Sequence, residues 1–212
     1  MRDPNRPAAV LPEWMKLPHA EPGNRIGLFG GSFNPPHSGH RLVAETAMRR
    51  LGLDQVWWLV TPGNPLKDHG NLAPLERRIH LAAAVADHPR MTVTAYEAIL
   101  GTSYTASTLA GILHRRPDVS FCWIMGADNL ASFHRWQNWR DIVETVPIAV
   151  VNRPGASLSP LFSPMAQAFG RARIPENEAG LLMRSRPPAW VFLHAPLDST
   201  SSTALRRQDG QR

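Results

Sequence analysis

The sequence is poor in features that fix a fold or a chemistry through covalent bonds or metals. Its 212 residues include one cysteine, Cys122, so no internal disulfide can form and a reducing compartment is expected. Cys122 lies in the apolar run 119–125, which favours a packed thiol over a reactive one. A zinc-ligand cluster, a G-x-G-x-x-G fingerprint and a Walker A lysine are also missing, which argues against the sites that those motifs define.

Long hydrophobic runs are missing too. No stretch approaches the length needed to cross a bilayer, and Pro7 and Pro12 interrupt any candidate secretory signal. We therefore expect a cytoplasmic protein with no membrane partner. Residues 1–24 contain five prolines and no sustained periodicity, which predicts a flexible N-terminal segment, although Trp14 and Leu17 could dock on the domain.

Length and composition are those of one ordinary globular domain. Hydrophobic residues make up 43% and charged residues 19% of the chain. A formal net charge of +6 is compatible with nucleic acid and equally with a small polyanionic substrate, so charge alone does not choose between these partners.

The most informative stretch is G-G-S-F-N-P-P-H-S-G-H at positions 30–40. An apolar run over 25–29 precedes it and predicts a buried strand, while the stripe over 42–51 predicts a helix. A strand, a glycine turn and a helix in this order aim backbone N–H groups at an anion. Gly30 and Gly31 are expected to adopt positive φ and let a phosphate approach. His37 and His40 fall on one face of the first helical turn, where both imidazoles can donate to phosphate oxygens.

The remaining pattern alternates strands and helices. Strands are expected over 55–61, 91–95, 119–126, 147–151 and 190–193, and helices over 74–86 and from about 105. This predicts an α/β fold: a single Rossmann-like domain over 25–207, with a mainly parallel sheet, helices on both faces and a frayed end over 208–212. Ligands of such a fold bind at the carboxyl ends of the strands.

Several polar or aromatic residues follow those strand ends. Lys67 and Arg153 lie in turns after the second and fifth strands, and Asp128 follows the fourth, where a carboxylate can bind sugar hydroxyls. Trp136 offers a flat face for a ring. The run S-S-T-A-L-R over 201–206 reads as a second anion-binding helix start. Arg77 and Arg78 are expected to be structural or solvent-facing.

These motifs resemble a known group, the nucleotidyltransferases with H-x-G-H after the first strand and S-T-x-x-R near the C-terminus. Within that group, G-G-S-F-N-P-P-H-S-G-H, S-Y-T and Trp136 are similar to the nicotinate-nucleotide adenylyltransferase family, over about residues 25–207. The resemblance implies adenylyl transfer from ATP to nicotinate mononucleotide, with Mg²⁺ carried by ATP and no metal held by the protein.

The resemblance also implies roles for individual residues. The catalytic residues would be His37, His40, Lys67 and Arg206. The residues that bind ATP and its phosphates would be Gly30, Gly31, Ser32, Phe33, Gly39, Gly126, Asp128, Ser201, Ser202 and Thr203. The residues that bind the nicotinate nucleotide would be Asn34, Ser103, Tyr104, Thr105, Trp136 and Arg153. Asn34 and Ser107 stand where many members of the family have Asp.

Three alternatives stay open at this point. A phosphopantetheine adenylyltransferase would share the two end motifs, with less reason for S-Y-T and Trp136. A basic RNA-binding module would suit the charge, but the chain lacks an RRM aromatic signature and its basic residues are scattered. A catalytically inactive nucleotide sensor is disfavoured because both histidines and Arg206 are present. We expect no nucleic-acid partner, and the sequence leaves the oligomeric state open.

Overall fold

One parallel sheet organises the structure, a computed structural model that describes residues 11–63, 72–152 and 159–195. In these residues the sheet has seven strands in the order β3-β2-β1-β4-β5-β7-β6, and every neighbouring pair is parallel. The strands are β1 (Arg25–Gly31), β2 (Gln55–Val60), β3 (Met91–Thr94), β4 (Ser120–Gly126), β5 (Ile148–Val151), β6 (Arg173–Ile174) and β7 (Trp190–Leu193).

Helices connect the strands. The α-helices are α1 (Ser38–Leu51), α2 (Leu75–Val85), α3 (Tyr96–Leu100), α4 (Thr105–Arg115), α5 (Ala127–Ser132), α6 (Trp139–Thr145) and α7 (Pro164–Ala168). Short 3₁₀ segments cover Glu13–Met15, Phe133–Arg135, Ser159–Phe162, Gly170–Ala172 and Glu176–Arg184. The predicted α/β class with a parallel sheet is confirmed. None of the helices in the described ranges is long and apolar enough to span a membrane.

The strand order places a cleft. The chain builds outward from β1 through β2 to β3, then crosses to β4 on the other side of β1. The crossover directions therefore reverse between β1 and β4, and in open α/β sheets ligands bind at the carboxyl ends of the strands at such a switch point. The loop after β1, which carries the two histidines, begins at this point.

Two hydrophobic cores cover the two faces of the sheet. Trp57 and Trp58 show the division, since successive side chains of a strand point to opposite faces. Trp58 packs in the core with Phe29 and α1, whereas Trp57 packs in the core with Leu28 and α4. Because both faces are covered, the strands are almost continuously buried, as expected for a parallel sheet. Cys122 is fully buried, and burial raises its pKa to about 12, which confirms the packed thiol.

The N-terminal segment differs from the prediction where the structure describes it. The Ala95 N–H donates to the Trp14 carbonyl at 2.7 Å, and the Thr94 hydroxyl donates to the Lys16 carbonyl at 2.8 Å. Trp14 packs on one core and Leu17 on the other. Residues 14–17 are therefore docked on the domain and not flexible as expected. Their apolar side chains pack on the cores, and their carbonyls accept hydrogen bonds at the end of β3.

Candidate active site

The first turn of α1 holds the two histidines through its own backbone. His37 is the N-cap residue, and its Nδ1 accepts the Gly39 N–H at 3.1 Å. His40 sits at the third helical position, and its Nδ1 accepts the His37 N–H at 3.2 Å. The pair forms a reciprocal capping box in which imidazoles replace the usual hydroxyl and carboxylate. Two N–H groups at the helix start are thereby satisfied, and both rings are held in place.

This arrangement fixes which ring nitrogen can act on a ligand. A neutral imidazole whose Nδ1 accepts a hydrogen bond carries its proton on Nε2. The His37 and His40 rings lie 3.9 Å apart, centroid to centroid, and are only 3% and 8% exposed. The backbone therefore presets both Nε2–H groups as donors, which is the state needed to bind phosphate oxygens.

The two glycines before the histidines do not adopt the predicted positive φ. Gly30 and Gly31 belong to strand β1, and the positive φ of this loop falls on Phe33 at 44°. A Cβ on Gly30 would lie 2.4 Å from the Trp123 ring. Glycine is therefore required because a tryptophan packs against the strand. Phe33 is 1% exposed and stacks on Trp58 with ring centroids 5.0 Å apart.

Arg78 ties the loops around this turn together. Its guanidinium donates to the carbonyls of Ser32, Thr61, Pro62 and Ala73 at 2.8, 2.7, 3.1 and 2.8 Å. The side chain is 1% exposed, and within the described ranges no carboxylate forms a salt bridge with it. One α2 residue thus holds the carboxyl ends of β1 and β2, which confirms a structural role for Arg78. Asn34 takes part in the same bracing, since its Oδ1 accepts the Ala73 N–H at 3.2 Å.

We predict that Arg78→Met lowers the free energy of unfolding by about 3 kcal/mol, because buried carbonyls lose their donors and cannot reach water. Urea denaturation followed by circular dichroism measures this change. Arg77→Met is the matched control: Arg77 is the exposed neighbour on the same helix, and its loss should change stability by no more than about 0.5 kcal/mol. Equal stability of the two variants would contradict the bracing role.

A cavity of about 370 Å³ opens at the end of β1, and its lining residues do not include His37 or His40. Seven predicted site residues line it: Gly30, Gly31, Ser32, Ser103, Tyr104, Thr105 and Trp136. Five further residues complete its wall: Thr61, Glu97, Trp123, Arg135 and Gln137. The structure thus brings together segments from β1, β2, α3, α4 and β4 that lie far apart in the sequence.

The start of α4 forms one wall of this cavity. The helix begins at Thr105, where the sequence predicted it, and its N-cap is Tyr104, which makes no side-chain capping bond. The Tyr104 N–H donates to the Thr102 hydroxyl at 3.1 Å. The first-turn N–H groups from Thr105 onward have no partner within the helix, as at every helix N-terminus, so they are the donors that this wall offers an anion.

Glu97 is the residue of this wall that sequence analysis missed. It is 4% exposed, and its Oε1 accepts the Thr108 hydroxyl at 3.0 Å. Its Oε2 is buried and makes no hydrogen bond to the described part of the chain. Burial raises the pKa of Glu97, partly opposed by the Thr61 and Thr108 hydroxyls. The sequence offered one signal for this residue, which is a glutamate among the mostly apolar side chains of Y-E-A-I-L.

The other predicted residues lie around the cavity. Trp136 is half-buried and meets Trp123 edge to face, with ring centroids 6.2 Å apart. Trp139 is partly buried and packs against Phe133 at the edge of the core. Gly126 ends β4, and Asp128 is exposed on the first turn of α5. Six predicted site residues lie outside the described ranges: Lys67, Arg153, Ser201, Ser202, Thr203 and Arg206.

Comparisons with known proteins identify the group. A family model described as cytidylyltransferase-like matches residues 28–208. The chain is 64% identical over 181 residues to a protein of Rhizobium meliloti (strain 1021) named "Probable nicotinate-nucleotide adenylyltransferase", covering 85% of this chain and 96% of the relative. A protein of Agrobacterium fabrum with the same name is 63% identical over 181 residues, covering 85% and 97%. The chain belongs to the nicotinate-nucleotide adenylyltransferase family.

The fold of this adenylyltransferase family member is also that of a solved relative. The Plasmodium falciparum nicotinic acid mononucleotide adenylyltransferase complexed with NaAD superposes with a TM-score of 0.64 at 15% identity, covering 87% of this chain and 83% of that one. At this identity the match shows the fold alone. The identity of 63–64% to the two bacterial relatives confirms the resemblance inferred from H-x-G-H and S-Y-T, and the chain is a nucleotidyltransferase.

Proposed function

We propose that this chain transfers the adenylyl group of ATP to nicotinate mononucleotide, giving nicotinate adenine dinucleotide and pyrophosphate. One observation carries the proposal: two backbone-oriented histidines stand at the sheet's switch point beside a cavity walled by an uncapped helix start and a tryptophan. The names of the close relatives support the same reaction.

The chemistry requires no protein nucleophile. An oxygen of the mononucleotide phosphate attacks the α-phosphorus of ATP and forms the new P–O bond. The bond between the α-phosphorus and the bridging oxygen to the β-phosphorus breaks, and pyrophosphate leaves with that electron pair. The protein then has to align the reactants and stabilise the charge that develops on the phosphoryl oxygens. His37 and His40 do this by donating from Nε2.

The other candidate residues divide between the two substrates. Lys67 and Arg206 neutralise the outer phosphates, and the hydroxyls of Ser201, Ser202 and Thr203 and the loop amides over 31–33 donate hydrogen bonds to them. Gly39 lets phosphate approach the helix start, and Gly126 and Asp128 bind the ribose of ATP. Asn34 and Arg153 contact the mononucleotide, whose ring stacks on Trp136 while Ser103, Tyr104 and Thr105 surround its carboxylate.

Mg²⁺ enters this scheme on ATP. In the described ranges no three His, Cys, Asp or Glu side chains are grouped to hold a metal. Phosphate oxygens and water are ligands that Mg²⁺ commonly keeps in nucleotide sites. We therefore assign the ion to the triphosphate and derive no step from it.

We predict that Arg206→Ala raises the KM for ATP more than the KM for nicotinate mononucleotide. The reason is that a cation on the outer phosphates stabilises only the nucleotide that carries them. Steady-state kinetics with each substrate varied separately measures both constants, and isothermal titration measures ATP binding directly. Unchanged ATP binding would mean that Arg206 has no role in the site.

The reaction itself is tested by pyrophosphate release with a panel of acceptors. Release with ATP and nicotinate mononucleotide, together with dinucleotide formation, is the expected result. Release with phosphopantetheine instead would favour the other H-x-G-H reaction, and no release with any acceptor would favour a nucleotide sensor.

A further inference from the structure

Glu97 is a buried carboxyl group in the wall of the cavity that, in the proposed function, binds the anionic nicotinate ring. A buried carboxylate normally has a cationic partner or several N–H donors. Glu97 has neither in the part of the chain that the structure describes. The groups that act on it are hydroxyls: Thr108 lies 3.0 Å from Oε1, and Thr61 also lowers the pKa of Glu97. Its Oε2 is buried without a hydrogen bond to the described residues.

The Thr108 hydroxyl shows where the protons belong. Its oxygen lies 3.0 Å from Glu97 Oε1 and 3.2 Å from the Tyr104 carbonyl, both within hydrogen-bond distance. A hydroxyl has one proton, whereas a carbonyl can only accept. If Thr108 donates its one proton to the Tyr104 carbonyl instead of to Glu97 Oε1, its oxygen can accept a hydrogen bond from the O–H group of a protonated Glu97. A protonated Glu97 therefore completes a chain from Glu97 through Thr108 to Tyr104, and an ionised one would compete with the carbonyl for a single proton.

In the described residues no charged side chain forms a salt bridge or a hydrogen bond with Glu97. The titratable side chains that line the cavity with Glu97 are Tyr104 and Arg135. On the elements packed around α3, Arg115 lies over the Tyr96 ring and Lys16 pairs with Glu13. None of these forms a salt bridge or hydrogen bond with Glu97, and burial is the largest influence on its pKa, which it raises.

We propose that Glu97 is a positioning residue that is kept as a neutral carboxylic acid, anchoring the Tyr104–Thr105 start of α4 without placing a negative charge beside the anionic ring substituent. This inference rests on the proposed function. A second negative charge in the cavity would weaken binding of an anionic ligand by on the order of 10- to 10²-fold. A neutral Glu97 thus allows this wall to bind a carboxylate. Its hydrogen bond to Thr108 holds the start of α4 in position.

Infrared difference spectroscopy tests the protonation without substrates. The spectrum of the wild-type protein minus that of Glu97→Gln should contain the C=O stretching band of a protonated carboxyl group. Glu144→Gln, at an exposed glutamate of α6, is the control and should leave that band in place. A difference spectrum that shows only carboxylate bands would overturn the proposal.

Binding measurements test the positioning. Isothermal titration with nicotinate mononucleotide and with nicotinamide mononucleotide gives the acid-to-amide affinity ratio for each variant. Glu97→Gln, a neutral isostere, should keep this ratio within about threefold of wild type. Glu97→Ala should weaken binding of nicotinate mononucleotide by about tenfold or more, because the hydrogen bond that anchors α4 is lost. A tenfold change of the ratio in Glu97→Gln would mean that the charged form is required. Failure of the proposed function would appear separately, as the absence of dinucleotide formation by the wild-type enzyme.

Discussion

Replacing His37 by alanine will lower kcat by about 10²-fold or more. This is the scale expected when one preorganised donor to the transition state is lost. The backbone holds the His37 ring with Nδ1 toward Gly39 N and presets the Nε2 proton for phosphate, so no other group can take over that position. Steady-state pyrophosphate release at saturating substrates measures the effect.

The structure requires a control for this experiment, because His37 also caps α1. His37→Asn keeps a good N-cap acceptor and removes the Nε2 donor. It should therefore lose as much activity as His37→Ala while melting close to the wild-type temperature. His40→Gln plays the same part at the third helical position, where glutamine can complete a capping box. If His37→Asn turns over at the wild-type rate, the histidine serves only as a cap and the central catalytic assignment is wrong.

The enzyme will prefer nicotinate mononucleotide over nicotinamide mononucleotide by about 10²- to 10⁴-fold in kcat/KM. A carboxylate accepts from the N–H groups at the start of α4 and is favoured there by the helix dipole. An amide presents an NH₂ group to the same donors and leaves them unpaired, at about 1–3 kcal/mol each. Because the Tyr104 N–H donates to the Thr102 hydroxyl, we expect the first-turn amides that begin with Thr105 to make this contact.

Trp136 supplies the control for that preference. A ring stacked on an indole gains affinity whether its substituent is an acid or an amide. Trp136→Ala should therefore weaken both mononucleotides by similar factors and leave their ratio nearly unchanged. Assays of both substrates with both enzymes decide the matter. Equal efficiencies in the wild-type enzyme would remove the carboxylate site and leave the adenylyl transfer itself standing.

The sequence by itself determined the parts of this protein that depend on short-range pattern. Continuous apolar runs separated by helical stripes specify parallel strands with covered faces, and the histidine pair is positioned by bonds between residues two and three apart. Such contacts join residues that are close in the chain, so the eleven-residue motif positions the histidines, and together with S-Y-T, Trp136 and S-T-x-x-R it indicates the family.

Only the tertiary structure decided what surrounds that motif. Arg78 meets the Ser32 carbonyl across 46 positions of sequence, and Glu97 meets Thr108 across 11, and neither pairing has a periodic signature. Gly30 is required by Trp123 on the neighbouring strand rather than by its own φ. These residues have their roles because they are buried. The protonation state and hydrogen-bond partners of a buried group depend on the groups that the fold brings next to it.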